Sequence, residues 1–388
     1  MKIKRIMYVS PRYHTNQIPV MQGWSEAGVR VKFLAQYQGA VEVHDYVEYH
    51  RLQSSLLFKI YLKIIKLYCK PNVIEKKIIT NFVPNLYDVY KQIKEFKPEL
   101  LIFRDYNKCN LFISLVCKLL RFRNVVCYTQ LPLYGVNTSQ KMMDKVLTKI
   151  FTNICFTPVK YFGGMPKELK ISHRWNSPRY FVPLIGRPSA TSNRSYCKNG
   201  IINLLDVGKY RDYKNHFFLV KAISELNNIE KFRLKIVGQV SQQDEQDYYT
   251  KLQNYVTDLG LHEYIKVLTN IPYREMEDLY NETDILILAS KKEVASIAII
   301  EAMSRGICVM STINNGTACY LENNCGFVFN TETTYEIVSQ LNMIAQNEGI
   351  VEEKGNNARN AVSEKYTFAN YVEHLNAITV KEFGFNIQ

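Results

Sequence analysis

The sequence predicts an α/β protein built of two Rossmann-like domains, each a parallel sheet with helices on both faces, the pair facing each other across a cleft. Three observations carry this. Short unbroken apolar runs such as Leu100-Leu101-Ile102-Phe103 alternate with longer amphipathic segments along the chain, and unbroken apolar strands are what a sheet covered on both faces requires. The 388 residues are many for one α/β domain and comfortable for two. Residues 184–200, rich in Pro, Ser, Asn and Gly with little apolar periodicity, read as a linker.

In the first domain, residues 1–183, strands are expected at 3–9, 30–36, 100–104, 125–129 and 153–159. Helices are expected near 16–28, 56–69, 85–96, 109–121 and 140–151. In the second, residues 201–367, strands fall at Ile201–Val207, Arg233–Val237, Ile265–Leu268, Ile285–Leu288, Ile307–Ser311 and Gly326–Phe329. Helices separate them near 215–227, 243–259, 274–282, 297–305 and 333–347, with a further stretch at 351–365. A C-terminal helix within 368–388 is expected to pack back on the first domain. Ligands of open parallel sheets sit at strand carboxyl ends, so the chemistry belongs in the loops that leave those ends.

Hydrophobic residues make up 47% of the chain and charged ones 22%, the balance of an ordinary globular protein. No run of eighteen apolar residues occurs, so a spanning helix is not expected. The basic start from Met1 to Arg5 leads into a run that stops at Ser10-Pro11 without a small-residue cleavage site, and reads as a strand, not a leader. The nine cysteines include no Cys-x-x-Cys pair, and several, such as Cys127 and Cys308, lie inside strand-like runs. Buried reduced thiols of a cytosolic protein fit this pattern, with neither a metal site nor disulfides implied. The net charge of +13 is unevenly divided: 29 Lys and Arg oppose 11 Asp and Glu in residues 1–183, against 20 and 25 in residues 184–388. An anionic partner of the first half follows, whether membrane surface, substrate or nucleic acid. No nucleic-acid-binding motif accompanies the charge, so nucleic acid is not expected.

Two segments of the second half could carry chemistry. Lys291 to Met303 leaves the apolar strand ending at Ser290 and enters a helix for which Ser296 is a candidate N-cap. Backbone N–H groups there suit an anion. Glu293 before the helix and Glu301 in its second turn could each accept two hydrogen bonds from vicinal hydroxyls; a solvated loop glutamate and a surface helix glutamate fit the same residues. Asp206 to His216 follows the first strand of this half, and Gly208 at the strand end permits close backbone approach. Lys209 and Lys214, five apart across a turn, could clamp a diphosphate as mobile point charges, or be ordinary surface lysines. A GxGxxG fingerprint is absent here and after the first strand, which argues against a dinucleotide-dependent enzyme.

In this order, Gly208-Lys209 with Lys214, Ile271 to Tyr280 with Thr283-Asp284, Glu293 with Glu301 seven residues between, and Glu301-Ala302-Met303-Ser304-Arg305-Gly306 resemble the donor domain of retaining glycosyltransferases of family 4, over about residues 200 to 368. Lys209 departs from the arginine usual in that family. The resemblance implies the GT-B fold and transfer of a hexosyl or N-acetylhexosaminyl group from a nucleoside diphosphate sugar, UDP being the expected base. No metal and no cofactor are implied beyond that donor. It further implies that Lys209 and Lys214 neutralise the diphosphate, Glu293 contacts donor-sugar hydroxyls and Glu301 the ribose. Backbone at Asn270-Ile271 would read the base, and N–H groups of Ser296, Ile297 and Ala298 would meet the sugar-phosphate region.

The first half is less legible. His14, in the loop after the first strand, could hydrogen-bond a phosphate or be an ordinary loop histidine. Many family members carry a histidine after a middle strand of this domain; here Gln130 is the candidate for that place. Arg104 could reach an acceptor or pair with Asp105. Lys59, Lys63, Lys66 and Lys70 recur every three or four residues in an apolar helix, which suits an anionic membrane surface or a lipid-linked acceptor as well as a helix packed on the sheet. The expected partners are therefore a nucleotide sugar, a glycan or lipid-linked saccharide acceptor, and the inner face of a cell membrane, with surface polysaccharide synthesis as the setting. A nucleotide-sugar epimerase on the same scaffold and a non-catalytic membrane-binding protein are the alternatives.

Overall fold

The computed structural model describes residues 3–13, 17–38, 44–69, 81–105, 107–134, 154–161, 179–187, 194–272 and 275–387. The helix expected near 140–151 lies outside them. The chain divides into two compact units, Met1–Pro158 with Glu168–Pro183 and Phe368–Gln388, and Val159–Lys167 with Leu184–Thr367.

Among the described residues the first unit holds seven parallel strands: β1 (Arg5–Ser10), β2 (Arg30–Ala35), β3 (Glu48–Arg51), β4 (Leu100–Arg104), β5 (Val125–Tyr128), β6 (Cys155–Thr157) and β7 (Arg179–Phe181). Their order is β3-β2-β1-β4-β5-β6-β7. β1 and β4 are central, and Ile6, Met7, Leu100 and Leu101 are fully buried. The helices are α1 (Ile18–Glu26), α2 (Leu56–Tyr68), α3 (Leu86–Phe96) and α4 (Lys108–Leu119). Ser55, Asn85 and Asn107 cap the last three by accepting backbone N–H bonds, each satisfying donors the helix cannot. β3 and β7, absent from the sequence reading, are the two edges of the sheet. An edge strand needs no continuous apolar run, and Glu48-Tyr49-His50-Arg51 has none. The C-terminal helix, Phe368–Phe383, packs within this unit: Trp24 Nε1 donates to Tyr8 Oη at 2.9 Å, and Tyr8 and Tyr371 share a hydroxyl hydrogen bond at 3.2 Å.

The second unit holds β8 (Ile202–Val207), β9 (Phe232–Gly238), β10 (Ile265–Thr269), β11 (Ile285–Leu288), β12 (Cys308–Thr312) and β13 (Phe327–Phe329), in the order β10-β9-β8-β11-β12-β13. Its helices are α5 (His216–Ser224), α6 (Gln243–Asp258), α7 (Met276–Glu282), α8 (Ile297–Ser304), α9 (Tyr335–Gln346) and α10 (Gly349–Lys365). All four residues of β11 are buried, as a sheet covered on both faces demands.

Two boundaries differ from the sequence reading. Residues 159–161, expected in the first domain, group with the second unit, where Tyr161 and Lys160 (3.3 Å) both reach Glu322. The segment expected as linker is anchored in the same unit at 184–187 and 194–200. Leu184 N donates to Tyr320 Oη at 2.8 Å, Gly186 N to Tyr366 O at 3.0 Å, and Cys197 joins the core. Composition marked it as irregular, but side chains from elsewhere in the unit hold it.

Candidate functional site

In the second sheet the strand order reverses between β8 and β11. Loops leaving the carboxyl ends at such a reversal line the crevice where open α/β sheets bind ligands. Lys214 comes from the loop after β8 and Glu293 from the loop after β11, and the two form an ion pair with side chains 10% and 16% exposed. Gly208 makes room for it: a Cβ there would stand 3.0 Å from Lys214 Cδ and Cε. Asn215, at φ 62°, turns the chain from the short 3-10 turn Asp212–Lys214 into α5. The two loops are tied by Lys291 N donating to Tyr213 O at 2.8 Å and by Lys291 Nζ on Asp212 Oδ2 at 3.0 Å.

Behind Lys214 lie two residues that the sequence reading did not single out. Asp206, near the end of β8, is 2% exposed, and His216, first in α5, is fully buried. His216 Nε2 stands 4.0 Å from Asp206 Oδ2, and neither that oxygen nor either ring nitrogen has a hydrogen-bond partner. Burial raises the Asp206 carboxyl to about 7, with Lys214 opposing the rise and Glu293 adding to it. Burial, aided by Lys214, lowers the His216 imidazole to about 3. A carboxyl group inside the apolar run Leu204-Leu205-Asp206-Val207 was the available sequence signal.

Lys209 lies 3.9 Å from Glu245 Oε1 with its side chain 45% exposed, and Arg211 is held by the same oxygen at 2.8 Å. Glu245 is itself fully buried and takes two further hydrogen bonds from Ser241 N and Oγ. Asn270, at φ 54°, joins the loops after β9 and β10: its N–H donates to Gly238 O at 3.0 Å and its Oδ1 accepts from Val240 N at 3.0 Å. Ile271 beside it is half-buried. Gly238 is obligatory, since a Cβ there would stand 2.3 Å from Gly208 O. Ser296 is the N-cap residue of α8, yet its side chain makes no capping bond; its N–H instead donates to Thr317 Oγ1 at 3.1 Å. Ile297 and Ala298 form the first turn. Glu301 accepts from Tyr280 Oη at 2.9 Å, and burial raises its carboxyl. Lys209, Lys214 and Glu293 therefore sit on the loops at one strand reversal, while Glu301 engages α7.

In the first unit the strand order reverses between β1 and β4. Arg104, at the end of β4, has its Nε 4.0 Å from Asp105 Oδ2 and its Nη1 buried without a partner. Ser10 Oγ and Asn110 Oδ1, from the end of β1 and the start of α4, are likewise buried without partners. Single polar residues at strand and helix ends gave no pattern by which to find them. Gln130 is half-buried and hydrogen-bonds Tyr128. Lys59, Lys63 and Lys66 are exposed on α2; His14 and Lys70 lie outside the described residues. Among the described residues no group of three His, Cys, Asp or Glu has metal-binding geometry.

Comparison with known proteins bears on the fold. Residues 198–361 match the family model described as glycosyl transferases group 1. The human GDP-Man:Man(3)GlcNAc(2)-PP-Dol alpha-1,2-mannosyltransferase is 26% identical over 119 residues, 29% of this chain and 24% of that protein; the chain thus spans about a quarter of the curated relatives it matches. A glycosyltransferase from Rickettsia africae is similar over 98% of both chains, with a TM-score of 0.72 and 15% identity. Alr3699/HepE from Anabaena, in complex with UDP and glucose, is similar over 98% of this chain and 100% of its own, with a TM-score of 0.69 and 16% identity. Both domains are thus parallel-sheet, Rossmann-like units of the GT-B fold, and residues 198–361, nearly all of the second, are similar to the glycosyl transferases group 1 family.

Proposed function

We propose that this chain is a glycosyltransferase that moves a sugar from a nucleoside diphosphate donor to a glycan or lipid-linked saccharide, with retention of configuration, in surface polysaccharide synthesis. The observation that carries the reading is the Lys214–Glu293 pair at the β8/β11 reversal of a group 1 domain. In this reading the second domain takes the donor and the first the acceptor. Lys214 and Lys209 face the diphosphate, Glu293 the sugar hydroxyls and Glu301 the ribose. The base lies against Asn270-Ile271, and N–H groups of Ser296 to Ala298 meet the sugar phosphate.

The reaction breaks the bond between the anomeric carbon and the diphosphate oxygen, and makes one to an acceptor hydroxyl. Fixed cations stabilise the charge that develops on the leaving diphosphate, so the site works without a metal. The acceptor proton passes to the departing phosphate oxygen. Arg104, Gln130 and His14 belong to the acceptor side or to the edge of the donor sugar. The charge of the basic first half supports a working position against the anionic inner face of the cell membrane. The donor is a UDP-hexose or UDP-N-acetylhexosamine, a choice supported by the complex of the Anabaena protein with UDP and glucose. A GDP-sugar is the second reading, favoured by the GDP-mannose in the human relative's name.

Nucleotide release from UDP-, GDP- and ADP-sugars, with and without a chelator, tests this. Wild type is expected to release nucleotide from one donor in the presence of the chelator, and Glu293→Ala to lose that release. No release from any donor, even with lipid extract as acceptor, would overturn the reading in favour of a binding protein. An epimerised donor would support the isomerase alternative instead.

A further inference from the structure

α2 buries only Phe58 and Ile65 fully and leaves most of its surface to solvent. Leu56, Leu57, Leu67 and Tyr68 are 74%, 77%, 78% and 82% exposed, and Ile60 and Ile64 about half. At about 100° per residue these six fall within one arc of about 120°, and Lys59, Lys63 and Lys66 within the adjoining arc of about 60°. The helix contains no Asp or Glu. Its start is fixed beside that of α3: Ser55 N donates to Val83 O at 2.9 Å and Asn85 N to Gln53 O at 2.7 Å. The first turn of α3 adds Leu86 and Tyr87, 43% and 73% exposed.

We infer that α2 and the first turn of α3 form a docking face that lies flat in an anionic bilayer, its leucines among the acyl chains and its lysines on the lipid phosphates. The inference rests on the membrane reading above and deepens it, because charge alone would hold the chain outside the headgroups. Exposed apolar area joined to a cationic flank is the composition of an interfacial helix. Charge selects the occupant. An isologous contact sets a face against itself, and α2 has no acidic residue to receive its own lysines, whereas anionic lipid supplies both the acyl phase and the counter-charge.

The test is co-sedimentation of the full chain with phosphatidylglycerol–phosphatidylcholine vesicles, for wild type, L56Q/L57Q/L67Q, K59Q/K63Q/K66Q and the exposed-leucine control L119Q. Melting temperature and nucleotide release confirm that each variant is folded. Wild type should keep part of its binding at about 0.5 M salt, where exposed charges are screened. The apolar triple should lose about tenfold or more at any salt concentration, since three buried leucines are removed from the acyl phase. The lysine triple should lose binding only at low salt, and L119Q should match wild type. An apolar triple that binds like wild type would overturn the docking face while leaving membrane association intact. Complete release of wild type by salt would overturn insertion in favour of charge attraction alone. A wild type that never binds vesicles would overturn both, and a dimer that the apolar triple dissociates would assign the face to a second copy.

Discussion

Asp206→Asn and His216→Gln should bend the dependence of stability on pH in opposite directions. Burial raises the Asp206 carboxyl from 3.8 to about 7, so the folded chain keeps a proton that the unfolded chain has lost. Between about pH 4 and 7 the unfolded state therefore binds fewer protons, and this group's contribution to stability falls as pH rises. The rise corresponds to about 4 kcal/mol, present at acid pH and gone above about pH 7. His216 has the reverse sign. Burial, then Lys214, lowers it from 6.5 to about 3. The unfolded imidazole takes a proton that the folded one refuses, and stability climbs from about pH 3 to 6.5, by about 5 kcal/mol. In wild type the two slopes oppose each other between about pH 4 and 6.5. Asp206→Asn removes the falling slope and leaves stability to climb with pH; His216→Gln removes the rising slope and leaves it to fall. At about 2–4 °C per kcal/mol for a domain of this size, the melting temperatures of the two variants should diverge by about 10 °C or more across that window. Calorimetry at closely spaced pH values, following the second domain's transition, reads this directly. A profile parallel to wild type in either variant would refute the account of a buried, oppositely held pair behind Lys214.

Other perturbations of the site have equally definite outcomes. Lys214→Met leaves Glu293 and Asp206 without their shared cation, and should cost about 3 kcal/mol in urea unfolding and at least about tenfold in UDP affinity by calorimetry. Glu245→Gln weakens the hold on both Arg211 and Lys209; a loss of about 2 kcal/mol is expected, with weaker UDP binding. Gly238→Ala drives a Cβ to 2.3 Å from Gly208 O, so the strand end must shift, at about 2 kcal/mol or more by urea unfolding. Unchanged midpoints in the last two would show that these loops yield more readily than their contacts imply.

How legible each part was depended on whether a residue's role repeats along the chain. Strands such as Leu100–Arg104 and Ile285–Leu288 announce themselves because a doubly covered strand is apolar along its buried positions, four in a row in each. The edges β3 and β7 have one neighbour and short mixed sequences, and could not be seen. The Lys214–Glu293 meeting was foreshadowed by charges at the ends of β8 and β11, since strand order brings those loops together whatever lies between them. Glu245 was hidden because it looks like an ordinary first-turn acid of α6, and only the fold turns it inward onto Arg211. The lysines of α2 were legible as a stripe. That the leucines beside them would face solvent was not, because a 3.6-residue period states which residues share a face and not what covers it.

The cations of the candidate donor site differ in how firmly their carboxylates hold them, and this bears on what each can do. Glu245 is fully buried and bound by Ser241 as well as Arg211, so it cannot follow a ligand outward. Arg211, closed on it at 2.8 Å, is part of that anchor. Lys209, at 3.9 Å and nearly half exposed, is steered by the same carboxylate without being captured, and its flexible stem can swing to an arriving phosphate. Lys214 is the opposite case. Its partner Glu293 stands across the strand reversal, so any anion that binds between the two loops must compete with Glu293 for the ammonium or share it. A diphosphate can share it, because its several oxygens leave Glu293 free to turn to the sugar hydroxyls beside them. A lone carboxylate offers no such neighbour, and would have to break a nearly buried ion pair without replacing what Glu293 loses. On the proposed reading, the resting Lys214–Glu293 contact thus favours an anion that carries hydroxyls.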